Sequence, residues 1–115
     1  MSWQGSVRHP VVLAFVAVLM MTTTCIAAAP QFEIVIRDHL FSPDQLTVPA
    51  NQRVKLVVHN EDATPEEFES YALNREKVIV GNGSGTIFIG PLKPGEYEFF
   101  GEFNNATARG VIRAE

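Results

Sequence analysis

Between Phe32 and Ala114 the apolar residues fall at alternate positions in short runs. Each run is cut off by Gly, Pro, Asn or Asp before a helical period can establish itself. Phe32-Glu33-Ile34-Val35-Ile36-Arg37 puts Phe32, Ile34 and Ile36 on one face, and Arg53 to Asn60 does the same with Val54, Leu56 and Val58. Such a chain folds by laying strands side by side and burying one face of each. Further strands are expected over Gln45–Pro49, Glu66–Leu73, Lys77–Val80, Thr86–Ile89, Glu96–Phe103 and Ala108–Ala114. Seven or eight short strands with turn signals between them predict an all-β sandwich or barrel. Asp38 to Asp44 reads as a loop, and Gly81-Asn82-Gly83-Ser84-Gly85, lying between two strands, reads as a hairpin turn. It is not read as a phosphate cradle, because no helix follows it.

The first 28 residues break this pattern. Arg8 and His9 precede an apolar run from Pro10 to Met21, and small residues follow from Thr22 to Ala29. That layout predicts a secretory signal peptide over 1–28, cleaved after Ala27 or Ala28. A retained membrane anchor is the alternative, although the run is short for a bilayer span. Cys25 follows three threonines rather than a lipid-attachment pattern, so it is read as part of the discarded segment. The remaining domain, 29–115, has no cysteine and no methionine. It holds eight basic and thirteen acidic residues, a formal charge of −5. No disulfide can support it. Its acidity argues against nucleic acid or an anionic membrane surface as partner.

The densest chemistry is Thr64-Pro65-Glu66-Glu67-Phe68-Glu69-Ser70. On a strand, Glu67 and Glu69 point to the same face and can reach one ion. Glu66 points the other way, towards solvent or a loop, and is the weakest of the three as a ligand. His39 stands in a loop as an available imidazole, and Glu102 and Asn105 are spare oxygen donors. One imidazole with two or three carboxylates suits iron or manganese better than copper(I), and copper(II) stays open. His59 lies with Val57 on the face opposite Val54, Leu56 and Val58 and is read as a surface or core-edge residue; Tyr97, Phe99, Gly101 and Phe103 share one face of an aromatic strand.

Pro94-Gly95-Glu96-Tyr97-Glu98-Phe99-Phe100-Gly101, then Asn104 and Gly110-Val111-Ile112, resembles the final strands of cupredoxins. Phe41-Ser42-Pro43 and Leu46-Thr47-Val48-Pro49-Ala50 resemble their early strands. Asp62 to Lys77 is most similar to the small EfeO-type cupredoxin-like proteins of bacterial iron-uptake systems. The resemblance implies a Greek-key β-sandwich and places the usual copper ligands on this chain. The cysteine falls at Gly101, the second histidine near Asn104, the methionine near Ala108 and the first histidine at Glu66 or Glu67. None of the four is kept, so a type 1 copper electron carrier is excluded. The EfeO-type resemblance implies instead a carboxylate-rich site at Glu67 and Glu69, with His39 as the early-loop ligand. It implies an exported, periplasmic protein that binds iron or copper and acts in iron uptake or, at most, in ferrous-iron oxidation. Its expected partners are a membrane iron permease and a companion periplasmic metal-binding protein. The competing expectation is a metal-free sandwich module that makes protein contacts. No Ser–His–acid set points to a hydrolase.

Overall fold

Val54, Leu56 and Val58 are fully buried and alternate with half-exposed residues along one strand, so period-two patterning sets which face the core takes. A computed structural model describes residues 1–24 and 28–115. Residues 1–24 form no helix or strand and are exposed, and Cys25 with the junction at Ala27 lies outside the described residues. Among the described residues no helix is long and apolar enough to cross a membrane.

Nine strands follow in chain order: β1 (Gln31–Arg37), β2 (Leu40–Ser42), β3 (Gln45–Val48), β4 (Val54–Asn60), β5 (Glu66–Ser70), β6 (Arg75–Ile79), β7 (Ser84–Ile89), β8 (Gly95–Phe100) and β9 (Arg109–Ala114). A 3-10 turn, Glu102–Asn104, joins β8 to β9. The strands form two sheets, ordered β2-β1-β4-β7 and β3-β9-β8-β5-β6. Two pairs are parallel, β1 with β4 and β3 with β9. The fold is therefore the expected all-β sandwich.

The first sheet contributes Ile34, Ile36, Val54, Leu56, Val58, Ile87 and Ile89 to the core, and the second answers with Val48, Phe68, Ile79, Phe99 and Ile112. Each such side chain is worth roughly 1.5–3 kcal/mol when removed from water. Phe41, Phe68 and Phe99 form an aromatic cluster at one end. The rings of Phe68 and Phe99 stack at 5.0 Å, and Phe41 meets Phe99 edge-on at 4.9 Å.

Three local expectations are corrected. Residues 40–42, read as loop, form β2, which pairs with β1 across a two-residue turn. Asp38 and His39 both take left-handed backbone in that turn, at φ 52° and 58°. This backbone suits the twist of a tight hairpin. The glycine-rich segment is not a hairpin, because β6 and β7 belong to different sheets and the chain crosses between them there. Phe103 leaves the aromatic face: it sits in the 3-10 turn and is 53% exposed.

Candidate metal centre

Asn60, buried at the end of β4, anchors the loop that leads into the acidic segment. Its amide donates to the carbonyls of Thr64 (2.9 Å), Ile79 (3.2 Å) and Val80 (3.2 Å), and its Oδ1 accepts from the Asp62 amide (2.9 Å). With the loop held, β5 begins at a defined register against β6: Glu67 lies opposite Val78 and Glu69 opposite Glu76.

Adjacent residues on β5 then go to opposite faces. Phe68 is core, so Glu66, of the same parity, faces inward as well. This corrects the expectation that Glu66 faces solvent. It is 1% exposed. His39 Nδ1 lies 2.5 Å from Glu66 Oε1, and the Asn104 amide donates to both Glu66 oxygens at 3.1 and 3.3 Å. Asp62 completes this group. It accepts the backbone N–H groups of Asp38 (2.7 Å) and His39 (3.1 Å), and so stabilises the left-handed turn. Burial alone would push the Asp62 carboxyl up, but those two amides and the His39 charge hold it below the ordinary value. The Glu66 carboxylate beside His39 raises the imidazole pKa, outweighing its partial desolvation.

Glu67 and Glu69 go to the outer face of the five-stranded sheet. There one oxygen from each of Glu67, Glu69, Glu76 and Glu102 lies within 4.8 Å of the others. Oxygens about 2.0–2.6 Å from a shared ion stand at most about 4–5 Å apart, so this spacing fits one ion. Glu67 is only 2% exposed although it faces outward, because neighbouring groups cover it. Its Oε1 and the Oε2 of Glu69 are buried without any hydrogen-bond partner. Burial, then a side-chain hydrogen bond with Glu69, then the charges of Glu69, Glu102 and Glu76 push Glu67 up to about 7, so that a proton shared between Glu67 and Glu69 is favoured. Buried polar atoms almost always find partners, so these two oxygens are open to a proton shared between Glu67 and Glu69 or to a cation.

The single His39–Glu67–Glu69 group expected from the sequence is thus divided in two. His39 is placed with Glu66 and Asp62, and Glu67 and Glu69 with Glu76 and Glu102. The pleat is the cause, since it sends Glu66 and Glu67 to different faces. Asn105 contributes its backbone carbonyl to Arg109 Nε at 2.8 Å. His59 lies on the outside of the first sheet, 2.7 Å from Ser84 Oγ and 3.4 Å from Glu33 Oε1. Gly101 has no room for a side chain without movement: a Cβ there would stand 3.0 Å from the Glu67 carbonyl and 3.1 Å from the Ala108 Cβ.

Sequence reasoning missed Asp62 and Glu76. Glu76 was within reach, because a four-residue turn after Ser70 sets Glu69 against it. Asp62 had no local signal, since its partners are amides 23 and 24 residues away.

Residues 10–114 match the family model described as a cupredoxin-like domain. An uncharacterized protein of Rickettsia prowazekii (strain Madrid E) is 46% identical over 82 residues, which make up 71% of this chain and 66%, just under two thirds, of that relative. The fold is similar to auracyanin A, a "blue" copper protein of Chloroflexus aurantiacus, with TM-score 0.65 and 14% identity over 76% of this chain and all of that one. It is also similar to the metal-binding domain of the Cu(I)-exporting P-type ATPase CopA of Streptococcus pneumoniae D39, with TM-score 0.62 and 15% identity over 74% and 84% of the two chains. At that identity the likeness bears on the fold. Two packed sheets and the matched family model lead to one conclusion: the chain belongs to the cupredoxin-like domain family.

Proposed function

We propose that the protein is an exported, EfeO-type cupredoxin-like component of bacterial iron uptake that binds iron in the periplasm through Glu67, Glu69 and Glu102. The observation that carries this is the pair of orphaned buried oxygens on Glu67 and Glu69. An unpaired buried carboxylate is costly, and an ion in that position removes the cost. The donors are oxygen alone, which suits iron and manganese better than copper(I). Copper(II) is the competing ion, because auracyanin A and the CopA domain are copper proteins. The signal-like start from Arg8 to Ala29 supports export. A membrane iron permease and a companion periplasmic metal-binding protein are the partners this role requires.

Oxygen donors favour the higher-charged iron, so bound Fe(II) becomes easier to oxidise; the electron acceptor would come from outside this chain. The test is titration of the purified protein with Fe(II), Fe(III) as a citrate complex, Cu(II) and Mn(II), repeated on Glu67→Gln/Glu69→Gln. Iron binding by the wild type and its loss in the double variant is the expected result. Equal binding by both proteins overturns the site. Iron uptake by cells carrying the double variant tests the role, with uptake at the wild-type rate counting against it.

A further inference from the structure

We propose that Glu76, on the edge strand β6, is the fourth ligand of the outer-face site, and that this all-carboxylate set selects a hard cation over copper. The proposal rests on the reading that Glu67 and Glu69 hold an ion, and it extends that reading to a residue outside the acidic segment.

Four observations support it. First, Glu69 and Glu76 are direct cross-strand partners. Like charges placed opposite one another destabilise a sheet, and a cation between the two carboxylates relieves that repulsion. Second, Glu67 is 98% buried, and its Oε1 and the Oε2 of Glu69 have no hydrogen-bond partner. Third, among the described residues none of these four glutamates forms an ion pair with Lys, Arg or His. Fourth, the ligand atoms converge within 4.8 Å.

The division of labour follows from exposure. Glu67 and Glu69 form the covered floor, and Glu76 and Glu102 are exposed at the rim. A cation can enter from solvent and meet the rim carboxylates first, with no opening of the sandwich. β6 lies at the edge of its sheet, paired on one side with β5, so Glu76 can adjust to the ion with little resistance from neighbours. Hard cations take carboxylate oxygens, and copper affinity draws on imidazole and sulfur donors, which this group lacks. His39 is held by Glu66 in the other group, and His59 lies with Ser84 and Glu33 on the first sheet.

Terbium(III) is a suitable probe, as a redox-inert hard cation whose luminescence reports binding. The purified wild-type protein is expected to bind one Tb(III) per chain, at least tenfold more tightly than Cu(II). Glu76→Gln should weaken Tb(III) at least tenfold while changing Cu(II) affinity less than twofold. Glu96→Gln, an exposed carboxylate on β8 outside the group, should leave Tb(III) binding unchanged. Circular dichroism of each variant confirms that the fold is kept. If Glu76→Gln binds Tb(III) as the wild type does and Glu67→Gln does not, Glu76 is no ligand and the reading of the floor survives. If both variants bind as the wild type does, the floor itself fails. An equal loss in Glu96→Gln reduces the effect to bulk charge and overturns the proposal. A wild type that prefers Cu(II) overturns the selectivity.

Discussion

Glu66 and Glu67 are neighbours in the chain, are buried to within a percentage point of each other, and have opposite surroundings. Glu66 faces inward and its oxygens are engaged by His39 and Asn104. Glu67 faces outward, and one of its oxygens has no partner. The first is a carboxylate that the fold consumes. The second is one that the fold leaves open. Burial alone therefore does not distinguish the two acids; their partners do. The resemblance to cupredoxins places their copper ligands at Glu66 or Glu67, near Asn104, at Gly101 and near Ala108. Glu66 and Asn104 bond to each other there, and Gly101 and Ala108 leave no donor.

The contrast can be broken most forcefully at the ion. Glu67→Gln with Glu69→Gln removes two of four charges from the outer group, and iron affinity should fall by roughly two orders of magnitude, since affinity follows ligand charge. Calorimetric titration measures it, and a fall of less than threefold would equate the outer group with ordinary surface acid. Next comes Glu66→Ala, which strips His39 and Asn104 of their acceptor. It should cost about 1–3 kcal/mol in urea unfolding and leave outer-face binding intact. Glu67→Gln should behave in the opposite way without metal: stability at pH 8 is kept or raised, because the variant no longer buries a charge. A loss above about 1 kcal/mol would show that Glu67 serves the fold after all.

Acidity sharpens the same comparison. The folded state raises Glu67 from 4.5 to about 7, so it holds a proton that the unfolded chain has released. Without metal, stability should therefore decline as pH rises from 4.5 to about 7, and Glu67→Gln should flatten that decline. Ion affinity should climb over the same window, as the proton leaves the ligand. His39 is also raised, so its contribution is complete below 6.5 and is lost as pH passes its folded value; His39→Asn removes it. Asp62 acts in the other sense. Its lowered value gives stability that is present above 3.8 and lost in stronger acid. The smallest effect is expected at His59→Ala, on the outside of the first sheet, within about 0.5 kcal/mol and with no change in ion binding.

Much of the fold was legible in the sequence because period-two patterning reports directly on which face is buried. β1 and β4 follow from Phe32-Ile34-Ile36 and Val54-Leu56-Val58. β2 was not legible from the residue pattern, since three residues between a histidine and a proline carry none of their own; only the resemblance of Phe41-Ser42-Pro43 to an early cupredoxin strand pointed to it. The crossing at Gly81–Gly85 was not legible either, because turn residues do not say whether the strands they join will pair. In the site, the shared face of Glu67 and Glu69 was legible from spacing. The inward course of Glu66 was available too: Phe68, the bulkiest apolar residue of the segment, has the same parity and marks that face as core. The separation of His39 from Glu67 depends on long-range placement of the β1–β2 turn, which no local spacing encodes.

Thermal unfolding with and without added iron(III) citrate, on wild type, Glu66→Gln and Glu67→Gln, tests the central claim most directly. A ligand at 100 times its dissociation constant stabilises the folded state by about 2.7 kcal/mol, enough to move a midpoint by several degrees. Iron should raise the midpoint of the wild type and of Glu66→Gln, and leave that of Glu67→Gln where it was. A shift in Glu67→Gln equal to the wild type's, or none in Glu66→Gln, would contradict the assignment of one glutamate to the fold and its neighbour to the ion.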